Sequence, residues 1–232
     1  MKLLRNKPAE IESMVSVLTS AIEARDSYTF GHSLRVEKMS ARIGKLLGLR
    51  PQYLEIIQLA VRLHDLGKIG IPDSILLREG PLPDQDFQVI QRHPVIAEDI
   101  IKGTKALRFL LPFIKHHHER FDGYGYPDGL AGNDIPLGAR LITVADAIDA
   151  MLSDRPYRKA LSVAAALSEL KTHSGNHFDP QIIATIENLY PIIKGLNFFS
   201  INSYTVYIRG HDTGRHSVDT TRFRAQKEDK KT

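Results

Sequence analysis

A chain of 232 residues with 42% apolar side chains can bury one substantial core and does not require a second domain. Its 31 basic and 27 acidic residues leave a formal charge of only +4, which argues against a general surface for nucleic-acid polymers and leaves room for a local basic pocket for an anionic ligand. With no cysteine, disulfides and thiolate metal ligation are excluded, so any metal site must be built from nitrogen and oxygen ligands.

The opening segment, MKLLRNKPAEIESMVSVLTSAIEARD, begins basic, but Glu10, Glu12 and Glu23 interrupt any apolar run of signal-peptide length. No later run is long enough to cross a bilayer, and the expectation is a cytoplasmic protein without membrane insertion. Ile11, Met14, Val15, Leu18 and Ile22 recur at helical intervals, as do Leu34, Met39, Ile43, Leu46 and Leu47 in LRVEKMSARIGKLLG. Gly48 supplies a stop, after which RPQYLEIIQLAVRLHDLG predicts a strongly apolar, central helix with Pro51 in its first turn, running until Gly67. Pro72, Pro81 and Pro83 mark a loop, Asp84 is the predicted N-cap of the next helix, and Pro94 should bend or split that helix just after His93. TKALRFLLPFIKHHHER and PLGARLITVADAIDAMLSD predict helices on either side of a glycine-rich loop, and SVAAALSELKTH and DPQIIATIENLY predict two more, with Asp179 as an N-cap. Strand-like alternation occurs only in SYTVYI, near the end. The pattern predicts an all-α fold, a compact bundle of about seven to eight helices.

Metal-capable residues break the apolar pattern at His32, at His64 and Asp65, at His93, at His117 and His118, and at Asp146. Singly, each reads as ordinary surface or as a hydrogen-bonded core residue. As a set they lie on or at the ends of predicted helices, from which side chains can converge inside a bundle. A carboxylate at Asp65, among Leu63, Leu66 and Ile69, needs a cation or several donors to stay charged, and Asp146 has the same need. Two acids and five histidines are about what two metals require, if one carboxylate bridges them and water fills the open positions.

In this order, YTFGHSLRV, LHDLGKIGIPDSIL, HP, HHERFDGYGYPDGL, IPLGARLITVADAIDAMLSDRPYRKAL and GNHFDP closely resemble the HD-GYP family of bacterial cyclic-dinucleotide phosphodiesterases, a branch of the HD metallohydrolase superfamily. The resemblance covers residues 9–199 as a catalytic domain. It leaves 1–8 as a lead-in or linker stub and 200–232 as a tail that is partly disordered or binds a partner. It implies an HD-domain bundle, a dinuclear metal centre, and hydrolysis of cyclic di-GMP to linear pGpG, in some members onward to GMP.

Motif by motif, the resemblance puts His32, His64, Asp65 and Asp146 on one metal and Asp65, His93, His117 and His118 on the other, with Asp65 as a catalytic bridge. It implies iron or manganese; imidazole and carboxylate ligands also accommodate nickel or zinc. Two such ions about 3.5 to 4 Å apart can activate a shared water and neutralise charge on the phosphoryl oxygens. Lys68 is expected to bind a phosphate oxygen or steady the departing oxygen, and Arg155 and Lys159 resemble the family's second phosphate clamp. Tyr126 is expected to contact substrate, with the neighbouring glycines letting the loop approach it. Asp122 and Asp128 are expected to shape that loop through backbone contacts.

One departure matters: where some relatives carry a glutamate for a third metal, this chain has Tyr28. Two metals are therefore expected, with Asp149 left without its family role and His116 supporting or solvent-facing. The partners implied are a cyclic dinucleotide and a sensory, receiver or diguanylate cyclase protein, and a homodimer is compatible. Two other readings stand beside this one: a phosphodiesterase for a hybrid cyclic dinucleotide or another nucleotide, and a non-hydrolysing cyclic di-GMP sensor or scaffold. The complete ligand set and Lys68 favour an enzyme over the sensor.

Overall fold

Apolar stripes of helical period fold into ten α-helices among the residues described by a computed structural model, 8–25, 31–78, 80–154 and 159–186. These residues all fall in the first of two units into which the chain divides, Met1–Leu196 and Asn197–Thr232. Tyr28, Arg155, SYTVYI and the tail lie outside them. The helices are α1 (Pro8–Arg25), α2 (His32–Leu46), α3 (Pro51–Leu63), α4 (Asp73–Leu76), α5 (Asp84–Ile90), α6 (His93–Ile101), α7 (Leu111–Lys115), α8 (Leu137–Leu152), α9 (Val163–Thr172) and α10 (Pro180–Ile186). Eight of them have seven residues or more, and the described residues contain isolated β-bridges but no strand. The all-α expectation is borne out.

Most elements follow from the pattern with local corrections. Ile11, Val15 and Ile22 of α1 are buried, but Met14 is exposed; on α2, Val36, Met39 and Ile43 carry the buried stripe and Leu46 is exposed. Gly48 adopts a left-handed φ of 71° just past α2, as a stop should. Pro51 stands in the first turn of α3, but α3 ends at Leu63 rather than Gly67. The chain continues as a 3-10 helical turn over Leu66–Gly70, because Gly67 lies flat against the start of α6. A Cβ on Gly67 would stand 1.8 Å from the His93 carbonyl oxygen.

The prolines decide the other boundaries. Asp84 is the first residue of α5, preceded by Pro83, rather than its cap. The helix splits before His93, not after it, since Pro94 fits the first turn of α6, where its missing N–H costs no hydrogen bond. Pro112 likewise opens α7, which stops at Lys115 and leaves His116, His117 and His118 in the turn beyond. Asp179 does cap α10, accepting the Gln181 amide at 2.8 Å while its other oxygen takes Arg140 at 2.6 Å.

Helix α8 is the most enclosed element, with Leu141, Ile142, Val144, Ala145 and Ile148 at or near zero exposure, so the central place read for α3 is shared with it. Helix α2 packs on α3 and α8, α7 packs on both of these, and α6 packs on the 3-10 turn after α3. The start of α2, the end of α3, the start of α6, the end of α7 and the middle of α8 therefore face one region.

Candidate metal centre

Three of the histidines sit where a helix runs out of backbone partners. The Nδ1–H of His64 donates to the Val61 carbonyl at 2.5 Å, that of His93 to Ile90 at 2.9 Å, and that of His117 to Ile114 at 2.7 Å. Each acceptor lies three residues earlier, at or near a helix C-terminus, where carbonyls lack intrahelical donors. The fourth, His32, opens α2 and donates from Nδ1 to Asp149 Oδ2 at 2.8 Å. These bonds fix the proton on Nδ1 and aim the Nε2 lone pair inward, as the supporting bonds of metal-binding imidazoles do.

The inward nitrogens form two groups. His32 Nε2 lies 3.4 Å from His64 Nε2 and 3.3 Å from Asp146 Oδ1. His93 Nε2 lies 3.3 Å from His117 Nε2, and the His118 ring centre is 4.1 Å from that of His117 and 4.9 Å from that of His93. Between the groups stands Asp65: its Oδ2 is 3.5 Å from His64 Nε2 and 3.9 Å from His32 Nε2, and its Oδ1 is 3.7 Å from His93 Nε2. His32, His64 and Asp146 can together hold one cation, His93, His117 and His118 another, the candidate ligand atoms of each set lying within 4.8 Å of one another.

The donor set fits metal ions. Lone pairs of His93 and His117 point at each other at close range with their Nδ1 protons already committed, an arrangement that repels unless a cation lies between. Burial, reinforced by Lys68 and His64, lowers the His93 pKa to about 4, and burial with neighbouring imidazoles holds His117 and His118 well below the usual histidine range. Those rings are neutral and ready to ligate at pH 7. Burial disfavours a charged Asp65, but Lys68, His64, His93 and His32 outweigh it and hold its carboxyl well below the usual range. His32 runs the other way: burial is overcome by the Asp149 hydrogen bond and by Asp146 and Asp65, which raise it.

Of the residues expected around substrate, Lys68 donates to Asp65 Oδ2 at 2.8 Å, with its side chain 20% exposed. Tyr126 is half-buried and stacks on His118, centroids 4.9 Å apart. Burial, then Asp65 and Asp146, push its phenol upward, so the O–H stays a donor. Lys159 is not brought to the centre by any contact described: its side chain is 92% exposed and pairs with Asp154 at 3.2 Å. Arg155 lies outside the described residues.

The loop is shaped largely as expected. Asp122 pairs with Arg120 at 2.6 Å and accepts the Tyr124 amide, and Asp128 accepts His116 Nε2 at 2.9 Å, which gives His116 a loop-holding role. Gly125 makes its close approach to the chain's own backbone, however. A Cβ there would meet the Arg120 nitrogen at 2.2 Å, so what this glycine permits is the packing of the loop on the end of the histidine turn.

Four contributors escaped the sequence reading. Asp149, expected to be idle, is buried and bonded to His32 and to Arg35, whose Nε and Nη2 lie 2.5 and 3.0 Å from its oxygens. Burial works against its charge, yet these partners keep its pKa low. Buried Glu119 accepts the Asp128 and Leu130 amides at 2.8 and 3.1 Å and so pins the loop. The Thr143 hydroxyl donates to the His117 carbonyl at 2.6 Å. The spacing of Arg35 three residues after His32, and of Asp149 three after Asp146, was the available signal, since such residues share a helix face.

The sequence matches the HD domain family over residues 16–182. The chain belongs to the HD domain family. This HD-domain chain is 43% identical over 172 residues to the cyclic di-GMP phosphodiesterase response regulator RpfG of Xanthomonas campestris pv. campestris, across 73% of the chain and 45% of that protein. It is 36% identical over 176 residues to the 3'3'-cGAMP-specific phosphodiesterase 2 of Vibrio cholerae, across 74% of the chain and 33% of that protein. Among solved structures, an HDG"Y"P protein from Bdellovibrio bacteriovorus superposes with a TM-score of 0.58 at 25% identity, over 71% of the chain and 52% of its own. The HD-GYP resemblance read from the motifs stands. The chain spans less than half the length of these curated relatives. No helix among the described residues is long and apolar enough to cross a membrane.

Proposed function

We propose that this HD domain is a metal-dependent phosphodiesterase that opens cyclic di-GMP to linear pGpG. One observation carries the reading: the two carboxylate oxygens of Asp65 face two separate imidazole groups whose unprotonated nitrogens converge. His32, His64, Asp146 and Asp65 would hold one divalent ion and His93, His117, His118 and Asp65 the other, with iron or manganese favoured by the family likeness and nickel or zinc compatible with the ligands. Such ions supply Lewis acidity, which polarises phosphoryl oxygens and acidifies water.

The chain's own residues do the rest. Asp65, held charged, keeps the two groups in register. Lys68 brings an ammonium to the carboxylate's edge, suited to bind the anionic phosphodiester or take up charge on the departing ribose oxygen. Tyr126 offers a flat ring and a protonated hydroxyl beside His118, suited to a sugar or base. Lys159 and Arg155 would be outer phosphate contacts, Lys159 by leaving Asp154. Cytoplasmic operation beside a sensory, receiver or diguanylate cyclase protein fits relatives of which the matched region is less than half, one of them named a response regulator.

Hydrolysis of a hybrid dinucleotide is the second reading, favoured by relatives named as 3'3'-cGAMP-specific at 36% and 33% identity. Protein purified anaerobically, with its metal content measured, should be incubated with cyclic di-GMP and with 3'3'-cGAMP and the products resolved by chromatography, beside Asp65→Ala. Turnover of cyclic di-GMP that is lost in Asp65→Ala together with the metals is the expected result. Tight binding without product from fully metallated protein would replace the enzyme with a sensor.

A further inference from the structure

Arg25 ends α1, yet its guanidinium belongs to the segment that follows the HD pair. Its Nη1 donates to the carbonyls of Lys68, at 2.8 Å, and of Ile69. Its Nη2 donates to the Ile71 carbonyl and to Asp73 Oδ1 at 2.7 Å, and its Nε reaches the same oxygen at 3.1 Å. The five contacts match the five N–H groups of a guanidinium. The acceptors are backbone carbonyls at and just past the end of the 3-10 turn Leu66–Gly70 and the carboxylate that opens α4.

Leu66, Gly67 and Ile71 bury the inner side of that turn and the Ile96 side chain of α6 lies against Gly70, which leaves Ile69, 44% exposed, at the outer edge next to Lys68. The Lys68 amide is tied to the Asp65 carbonyl at 2.9 Å and the Ile71 amide to the Lys68 carbonyl at 3.0 Å. Arg25 closes the outer edge across these bonds from a separate helix. Helix α1 leans on the same region higher up, with the Thr19 hydroxyl 3.1 Å from the Arg62 carbonyl.

We propose that Arg25 is a positioning residue for Lys68: it locks the turn so that the Lys68 ammonium stays over Asp65, which makes the placement of α1 a determinant of the reaction rate. The consequence for rate rests on the phosphodiesterase reading; the lock itself does not. A lysine could not replace it, because one ammonium cannot span three carbonyls and a carboxylate as a planar fork does.

The test uses the full chain as Arg25→Ala, Arg25→Lys, Lys68→Ala and the double variant of Arg25→Ala with Lys68→Ala. Each is assayed for metal content, for kcat and KM on cyclic di-GMP, and for amide hydrogen exchange at Lys68 and Ile71. Arg25→Ala should keep its metals, lose roughly ten- to a hundredfold in kcat with a smaller change in KM, and exchange faster at both amides. Arg25→Lys should recover only part of the rate, and the double variant should be no slower than Lys68→Ala. A wild-type rate in Arg25→Ala, loss of metals from it, or a further rate loss of the same factor on the Lys68→Ala background would overturn the proposal. If the wild-type protein hydrolyses no cyclic dinucleotide, the phosphodiesterase reading fails, and unchanged exchange at Lys68 and Ile71 in Arg25→Ala then overturns the lock on its own.

Discussion

At the residue scale the centre is a problem of directing lone pairs. An imidazole has two nitrogens, and a ligand histidine works only if the other one holds the proton. Here backbone carbonyls at helix ends serve three rings, but His32 begins its helix and depends on a side chain, Asp149, 117 positions away in sequence. Asp149→Asn keeps a hydrogen-bond acceptor but removes the charge and leaves Arg35 beside a neutral amide. Metal affinity should fall about ten- to a hundredfold, measured by chelator competition, with the fold intact by circular dichroism; unchanged affinity would make Asp149 a mere filler. Lys68→Ala should do the opposite, keeping both ions while kcat drops by about a hundredfold or more. This contrast also marks what was legible. HD, HH and VAD stand out because a charged or imidazole side chain interrupts an apolar run. The supports stand out less: spacing puts Arg35 and Asp149 on the helix faces of His32 and Asp146, but a contact such as His32 to Asp149, or Thr143 to the His117 carbonyl, joins distant residues of ordinary type that no local pattern pairs.

At the element scale the site depends on where helices stop, and there the sequence is a weaker guide. Apolar period gives α3 correctly but carries it past His64 and Asp65, since nothing local says that Gly67 must lie against α6. Gly67→Ala should therefore cost about 1 to 3 kcal/mol in urea denaturation, and it should also weaken metal binding, because the atom it strikes is the carbonyl of His93. A second consequence concerns the cleft where α1 meets α2 and α3, lined by Glu12, Glu37, Glu55 and Arg62. Burial raises the Glu37 pKa; Glu12 adds to the shift, while Arg62, the Gln58 amide 3.3 Å away and Lys38 oppose it. A folded value above the unfolded one means that the stabilising, protonated form is complete below the ordinary 4.5 and is lost as pH rises through the raised value. Glu37→Gln should thus raise the melting temperature at pH 7, and the gain should vanish below pH 4.5. A gain that persists in acid would show that charge is not its source.

For the whole molecule, five separate elements reach one small volume, and the cost of bringing them there differs with and without cations. Ions that bind only the folded chain add RT ln(1 + [M]/Kd) to its stability, about 2.7 kcal/mol at a hundred times Kd. Without them, the Nε2 lone pairs of His93 and His117, 3.3 Å apart, remain opposed, and α2, α3, α6 and α7 lose a common anchor. Protein stripped by chelation should melt at a lower temperature, and its midpoint should climb with the logarithm of added manganese above Kd. Asp65→Ala is the control that separates this linkage from general salt effects: without the carboxylate that faces both imidazole groups, its midpoint should be nearly independent of manganese over the same range. Parallel slopes in the two proteins would mean that the ion stabilises the surface and not the centre, whereas a flat wild-type profile would deny that these imidazoles bind the ion at all.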